Sequence, residues 1–174
     1  MGMDIMDQAR EIEKSGKRVI HLEVGQPSTG VSQKAINVVM NSINRYPLGY
    51  TVSLGLPELR EGVSLLYKKW YNLDVDPSRV IITSGSSAAF ILAFTSLFDA
   101  GQRVGVTEPG YPSYRQILKS LSLRPVGLPT FKNSGHVPNL STTKIDGLIL
   151  ASPANPTGSI LSKLDLKRLI KECF

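Results

Sequence analysis

Ala151-Ser152-Pro153-Ala154-Asn155-Pro156-Thr157-Gly158 is the stretch that decides the fold of this chain. It follows an apolar run over residues 146–151 that is typical of a strand. A turn at the end of a strand is where an open α/β sheet presents its ligand-binding groups. The pattern therefore predicts a strand followed by a ligand-facing turn, with sixteen residues, 159–174, after it.

Upstream of this turn, helical and extended patterns alternate, with Gly and Pro between them. The apolar spacing predicts helices over about 4–15, 32–44, 56–71, 88–98 and 112–121, and strands over 19–22, 80–83, 103–107, 124–128 and 145–151. This alternation predicts an α/β fold with a mainly parallel sheet and right-handed crossovers. The helix over 88–98 is apolar almost all round and is expected to be buried. The stripe Leu59, Val63, Leu66 and Trp70 is expected to be core.

Composition excludes several classes of protein. A chain of 174 residues with 41% hydrophobic content can form one sizeable core. The net charge of +6 is spread over several helical segments, so no nucleic-acid partner is expected. The single Cys173 forms no internal disulfide, and the two distant histidines give no metal-ligand spacing. The sequence contains neither a signal peptide nor a membrane span, so we expect no membrane partner and a cytoplasmic location.

Four short motifs lie at the ends of the predicted elements, and each has two interpretations. Ser84–Ser87 is either a phosphate-binding turn at a helix start or an ordinary helix cap. Glu108–Tyr114 presents two aromatic rings that either stack on a planar ligand or pack the turn. Leu22–Pro27 either brings the backbone of Gly25 close to a ligand or simply ends a strand. For the fourth motif, Tyr46–Arg60, the interpretation that involves no ligand is a loop followed by a helix start.

Taken together and in this order, the motifs resemble the N-terminal half of a class I/II pyridoxal-phosphate-dependent aminotransferase, the aspartate aminotransferase fold family. The resemblance runs from about Val19 to Phe174. Its most specific parts are Tyr50-x4-Gly55-x-Pro57-Glu58-Leu59-Arg60, Glu108-Pro109-Gly110-Tyr111-Pro112-x-Tyr114 and Pro153-x-Asn155-Pro156-Thr157-Gly158. It implies an incomplete three-layer large domain with a mainly parallel sheet, preceded by an N-terminal helical arm. Residues 1–45 would be the arm and part of the small domain, and 46–174 the first part of the cofactor-binding large domain.

The resemblance also implies a binding site for pyridoxal 5'-phosphate. Gly85, Ser86 and Ser87 match the family's phosphate cup at a helix N-terminus. Tyr111 matches the residue that stacks on the pyridine ring. Asn155 matches the asparagine that hydrogen-bonds the phenolic oxygen of the ring and so tunes the cofactor as an electron sink.

Two further positions are implied outside this cluster. Gly25 matches the glycine whose backbone lies against the substrate carboxylate. Tyr50 matches a tyrosine that reaches the cofactor phosphate of the neighbouring subunit, so the resemblance implies a homodimer. Tyr114 lies near the ring, at a position that varies in the family.

The chain departs from the family because the catalytic groups that come later in such proteins are missing. Lys163, Lys167 and Lys171 are spaced for the exposed face of a helix, and none is assigned as the Schiff-base lysine. The interpretation is a truncated aminotransferase whose parent moves an amino group between an amino acid and a 2-oxo acid. Without an amine that can shuttle the substrate's α-proton, the fragment alone is predicted to be inactive.

Two alternatives remain open at this point. One is a lyase or synthase of the same cofactor family, and the other is a non-catalytic remnant that binds a ligand or a partner. An apolar parallel edge at the last strand, with Leu148 and Leu150, predicts poor solubility when the chain is expressed alone.

Overall fold

The chain folds into two compact units, Met1–Leu56 and Pro57–Phe174. The structure, a computed structural model, describes residues 2–25, 27–43, 45–47, 49–141 and 143–173. The helices are α1 (Gly2–Lys14), α2 (Gln33–Ile43), α3 (Pro57–Tyr71), α4 (Ser86–Leu97), α5 (Pro112–Ser120) and α6 (Lys163–Cys173). The strands are β1 (Arg103–Glu108), β2 (Arg124–Pro129) and β3 (Gly147–Ile149). Among the described residues, no helix has the length and apolar content needed to cross a bilayer.

The first unit contains α1 and α2, which confirms both helices predicted for this part of the chain. The predicted strand over 19–22 is wrong, because these residues are irregular and Ile20 and Leu22 are exposed. A strand is stable only when its backbone pairs with a neighbour, and no ladder in the described structure includes this segment. Its middle residue, His21, is instead held through its side chain by Glu13 and Glu23.

The second unit is built on a parallel sheet with the strand order β2-β1-β3. Val106 of β1 is in register with Gly127 of β2 and Ile149 of β3. The parallel pairing confirms the predicted α/β class and the mainly parallel sheet. All three strands therefore end at the same edge, and the loops that follow them are brought together there.

Helices cover both faces of this sheet, as the alternation of side chains along its strands requires. Val104 and Val106 pack on one face with Phe94 of α4 and Leu118 of α5. Gly105 lies between these two valines and faces the opposite side of the sheet. A Cβ at this position would meet the side chains of Leu128, Ile145 and Leu148. Leu128 belongs to a second core with Leu140, Leu161 and Leu169 of α6. The arrangement of helix, sheet and helix is the predicted three-layer architecture.

Three predictions for the second unit are wrong. Val80–Thr83 is irregular rather than a strand, because it pairs with no second backbone: no ladder of the described structure includes this segment. Helix α4 is not buried, since only Phe94 of its residues is inaccessible. The stripe on α3 is not core either: Leu59, Leu66 and Trp70 are all exposed. The apolar pattern is present in both helices, but the described chain supplies no layer to cover them.

Candidate functional site

The turn before α4 is built to leave hydrogen-bond donors free. Gly85 is the N-cap residue, with φ +81°, and it supplies no side chain to cap the first amides of the helix. The turn is closed by Gly85 N–H donating to Thr83 O at 2.9 Å and by Thr83 Oγ1 donating to Gly85 O at 2.9 Å. Within the described residues, the hydroxyls of Ser86 and Ser87 make no protein hydrogen bond. Both are exposed, so two hydroxyls and the positive end of the helix dipole face solvent here.

The loop after β1 carries Tyr111 at the carboxyl edge of the sheet. Gly110 is required in this loop, because a Cβ at that position would collide with the carbonyl oxygen of Thr107. Tyr111 is the N-cap residue of α5, in an extended conformation with φ −67° and ψ 119°. Pro112 follows as the first helical residue, where its missing N–H costs nothing. Gly110 and Pro112 therefore restrict the backbone immediately before and after Tyr111.

A chain of aromatic contacts connects this ring to α4. The rings of Tyr111 and Tyr114 meet edge to face at 5.3 Å, and those of Tyr114 and Phe90 do so at 5.1 Å. Phe90 in turn stacks on Phe94, which lies in the core. Burial raises the pKa of Tyr114, and Tyr111 adds to this effect. Tyr114 thus joins Tyr111 to the helix that carries the free hydroxyls.

Hydrogen bonds from beyond β2 anchor the start of the Tyr111 loop. Thr130 is buried and donates twice to the carbonyl oxygen of Glu108, from its N–H at 2.8 Å and from Oγ1 at 3.0 Å. His136 Nδ1 lies 3.2 Å from the same Oγ1. Because the single hydroxyl proton of Thr130 is already donated to Glu108, Nδ1 must be the donor to Oγ1. The imidazole, the hydroxyl and the carbonyl form one chain that holds the loop.

The side chain of Glu108 is held as well, through an ion pair with Arg115 of α5. Gly127 of β2 makes room for this pair. A Cβ at Gly127 would lie 2.5 Å from Glu108 Oε1 and 2.6 Å from Arg115 Nη2. A glycine in the middle of β2 is thereby explained by the salt bridge that crosses it.

The third loop carries Asn155 and follows β3. It is closed by Gly158 N–H donating to Ala154 O at 2.7 Å and by Ala154 N–H donating to Ser159 O at 2.9 Å. Ser152 Oγ accepts from Leu161 N–H at 3.0 Å, which ties the loop to the core. Asn155 is exposed, and its carboxamide makes no hydrogen bond with any described residue. A rigid turn therefore presents an unused donor and acceptor.

The sheet topology brings two of these loops to one edge. Tyr111 follows β1 and Asn155 follows β3, and these two strands are neighbours. A cavity of about 10 Å³ lies between their loops, lined by Pro109, Ala154 and Thr157 among others. The aromatic contacts from Tyr111 through Tyr114 to Phe90 connect α4 to the first of these loops. These two loops and the turn before α4 carry the candidate site residues Gly85, Ser86, Ser87, Tyr111 and Asn155.

The other two predicted site residues belong to the first unit. Gly25 has open space where a Cβ would be. Tyr50 is fully exposed. Near Gly25, His21 Nδ1 lies 2.7 Å from Glu23 Oε1, and its Nε2 lies 2.9 Å from Glu13 Oε1. These two hydrogen bonds, that to Glu23 first, raise the pKa of His21 from 6.5 to about 9.

The supporting residues of the site were not found by sequence reasoning. Thr130 and His136 lie in a loop after β2 with no motif, and only the structure places them beneath Glu108. Phe90 belongs to the apolar helix predicted over 88–98, and no pattern in the sequence marks it as a contact of Tyr114. Arg60 closes a recognised motif, and its role depends on contacts 17 and 20 residues away.

The fold and the candidate site define a class: a three-layer α/β protein with an uncapped helix start, and with an aromatic ring and an amide in the loops at one sheet edge. The sequence profile of aminotransferase class I and II matches residues 17–173. The chain belongs to this family of aminotransferases, whose cofactor is pyridoxal phosphate. The predicted resemblance is confirmed.

Individual relatives agree with this assignment. The chain is 36% identical to valine–pyruvate aminotransferase of Mycobacterium tuberculosis over 98% of its length and 45% of the relative. It is 35% identical to (5-formylfuran-3-yl)methyl phosphate transaminase of Methanocaldococcus jannaschii, over 92% of this chain and 43% of the relative. A crystal structure of an aminotransferase from Mycobacterium tuberculosis superposes with a TM-score of 0.90 at 36% identity, over 99% of this chain and 46% of that one. The chain thus spans slightly less than half the length of these relatives.

Proposed function

We propose that the second unit binds pyridoxal 5'-phosphate as the cofactor-binding part of an aminotransferase. The observation that carries this proposal is that the turn before α4 and the loop after β3 both present unpaired polar groups, in a chain of this family. Gly85, Ser86 and Ser87 bind the phosphate through the first amides of α4 and the two hydroxyls. Tyr111 stacks on the ring, and Asn155 hydrogen-bonds its phenolic oxygen.

The residues present fit this group on physical grounds. A phosphate needs several N–H and O–H donors at short range, and an uncapped helix start with two free hydroxyls provides them. The absence of a Cβ at Gly85 leaves open space beside these donors. Tyr111 is held at its base by Gly110 and Pro112 and at its edge by Tyr114, so stacking on it costs little conformational entropy.

The parent reaction that we propose is the transfer of an amino group between an amino acid and a 2-oxo acid. When bound, the cofactor supplies an electron sink for the substrate's α-carbon. The residues of this chain bind and orient it, and we assign no proton shuttle among them. Lys163, Lys167 and Lys171 lie exposed on α6. We therefore predict that the 174-residue chain alone does not catalyse transamination.

Calorimetric titration of the purified full chain tests the binding site. Pyridoxamine 5'-phosphate is the probe, because it lacks the aldehyde that reacts with surface lysines, and pyridoxamine is its phosphate-free control. We expect the phosphorylated probe to bind more tightly, and the double variant Ser86→Ala/Ser87→Ala to reduce this preference. Ser96→Ala is the matched control in the same helix, since its hydroxyl donates only to Leu92 O within α4. Equal affinity for the two probes would contradict the proposal.

Incubation with pyridoxal 5'-phosphate, an amino acid and a 2-oxo acid tests the second part. Chain-dependent formation of the new amino acid would overturn the predicted inactivity. No observation favours a lyase or synthase over an aminotransferase, and the names of the relatives support the latter.

Several parts of the proposal concern the first unit and the assembly. We propose that the backbone of Gly25 binds the substrate carboxylate and that Tyr50 reaches the cofactor phosphate of a second subunit in a homodimer. The full exposure of the Tyr50 side chain supports a partner outside its own unit. A Tyr50→Phe variant that weakens phosphate binding only at protein concentrations where dimers form would support it. The division into 1–45 and 46–174 and the cytoplasmic location remain predictions.

A further inference from the structure

The side chain of Arg60 contacts the backbone of the segment that leads to the candidate site. It lies in the first turns of α3, half-buried. Its Nε donates to Val80 O at 3.0 Å and to Pro77 O at 3.1 Å, and its Nη2 donates to Pro77 O at 2.7 Å. One guanidinium thus joins α3 to two carbonyl oxygens of the segment that leads to α4.

The segment held in this way has no sheet to hold it. Val80–Thr83 is irregular and is in no strand ladder of the described structure. Four residues after Val80 the chain enters the turn at Ser84 and Gly85, and α4 begins at Ser86. The cross-link from Arg60 is therefore applied immediately before the turn that presents the proposed phosphate donors.

The carbonyl groups that Arg60 contacts are themselves fixed. They belong to a single turn of 3-10 helix, Pro77–Arg79, and to the residue that follows it. Asp76 caps this turn by accepting from Ser78 N–H at 2.8 Å, and Val80 N–H donates to Pro77 O at 3.1 Å. A guanidinium offers donors in a rigid fork, which suits two carbonyls at the end of such a turn, whereas an ammonium is a point charge.

We propose that Arg60 is a positioning residue for phosphate binding: its hydrogen bonds to Pro77 and Val80 hold the segment that sets where Gly85, Ser86 and Ser87 lie. This inference rests on the proposed cofactor site. Arg60 does not touch the cofactor, and it acts through the backbone of residues 80–85. Substitution of Arg60 should therefore weaken binding of a ligand's phosphate group and leave the contacts to the ligand's ring unchanged.

The test compares Arg60→Met and Arg60→Lys with wild type in the full chain. Affinities for pyridoxamine 5'-phosphate and pyridoxamine are measured by calorimetry, and amide hydrogen exchange is followed without ligand. Arg79→Met is the matched control, because Arg79 lies on the same segment and its side chain makes no hydrogen bond within the described structure. Removing one or two phosphate-directed hydrogen bonds predicts a roughly ten- to hundredfold weaker affinity for the phosphorylated probe.

We expect Arg60→Met to lose affinity for the phosphorylated probe only, Arg60→Lys to recover part of it, and Arg79→Met to match wild type. Amides of residues 81–88 should exchange faster in Arg60→Met, while those of Val104 and Val106 in the core stay protected. If core amides also lose protection, the variant has unfolded and Arg60→Lys gives the comparison.

Unchanged exchange at 81–88, or an unchanged ratio of the two affinities in a wild type that prefers the phosphorylated probe, would overturn the role of Arg60. A wild type that binds both probes equally would refute the cofactor site instead. In that case the exchange measurement still decides whether Arg60 holds this segment.

Discussion

Replacing Tyr114 by leucine should destabilise the second unit by an amount that follows from the ring contacts of Tyr114. Tyr114 makes two edge-to-face contacts, with Phe90 at 5.1 Å and with Tyr111 at 5.3 Å. Such pairs contribute about 0.5–1.5 kcal/mol each beyond the apolar area they bury. Leucine keeps much of the buried area and loses both ring contacts. We therefore expect the free energy of unfolding of the second unit to fall by about 1–3 kcal/mol.

The matched control is Tyr114→Phe, which keeps both ring contacts. The hydroxyl of Tyr114 makes no hydrogen bond with the described residues, so its removal should change stability by less than about 0.5 kcal/mol. Urea denaturation followed by far-UV circular dichroism measures both variants. A phenylalanine variant as unstable as the leucine variant would show that the hydroxyl, and not the ring geometry, stabilises the site. A neutral leucine variant would show that the aromatic chain contributes nothing.

Three other perturbations have defined outcomes. Gly127→Ala places a methyl group against the ion pair between β1 and α5 and should cost about 1–3 kcal/mol in a denaturant titration. Gly62→Ala, with open space around it in α3, should stabilise by about 0.5–1 kcal/mol, and equal effects of the two changes would refute the steric argument. Leu118→Ala removes a fully buried side chain and should cost about 2–5 kcal/mol, against less than about 0.5 kcal/mol for the exposed Leu97→Ala in the same titration. Because two glutamates raise the pKa of His21 from 6.5 to about 9, its stabilising contribution is fully present below pH 6.5 and is lost as the pH rises through about 9. An NMR titration of the ring protons, assigned with His21→Gln, checks this, and a midpoint near 6.5 would contradict it.

The sequence predicted the strands whose partners are present in the described chain, among them β3, whose Gly147 pairs with Val104 of β1. Apolar periodicity predicted α5. The strands β1 and β2 are apolar runs separated by that single helix, and Arg103 of β1 is in register with Arg124 of β2. The turns at Gly85, Tyr111 and Asn155 were also recognisable, because Gly, Pro and Ser at the ends of strands have local conformational reasons to be there.

What failed depended on partners that the described chain does not provide. Val80–Thr83 has the composition of a strand, yet a strand requires a second backbone at hydrogen-bonding distance. The apolar stripe on α3 and the uniformly apolar α4 predict burial, yet burial requires a covering layer. The supports beneath Tyr111 could not be predicted for a different reason. Thr130 and His136 act across 22 and 6 residues through single hydrogen bonds, which leave no pattern in the sequence.

The two units differ in how much interior each one has. Of the residues that the structure describes in Met1–Leu56, Ala9 alone is buried, whereas two cores lie in the second unit. Cooperative melting requires an interior that is lost all at once, so the heat absorbed on unfolding should come almost wholly from the second unit. A protease should therefore cut first within the exposed residues 49–53 and leave the candidate site on the surviving piece. Digestion thus becomes a way of preparing that site without most of the first unit.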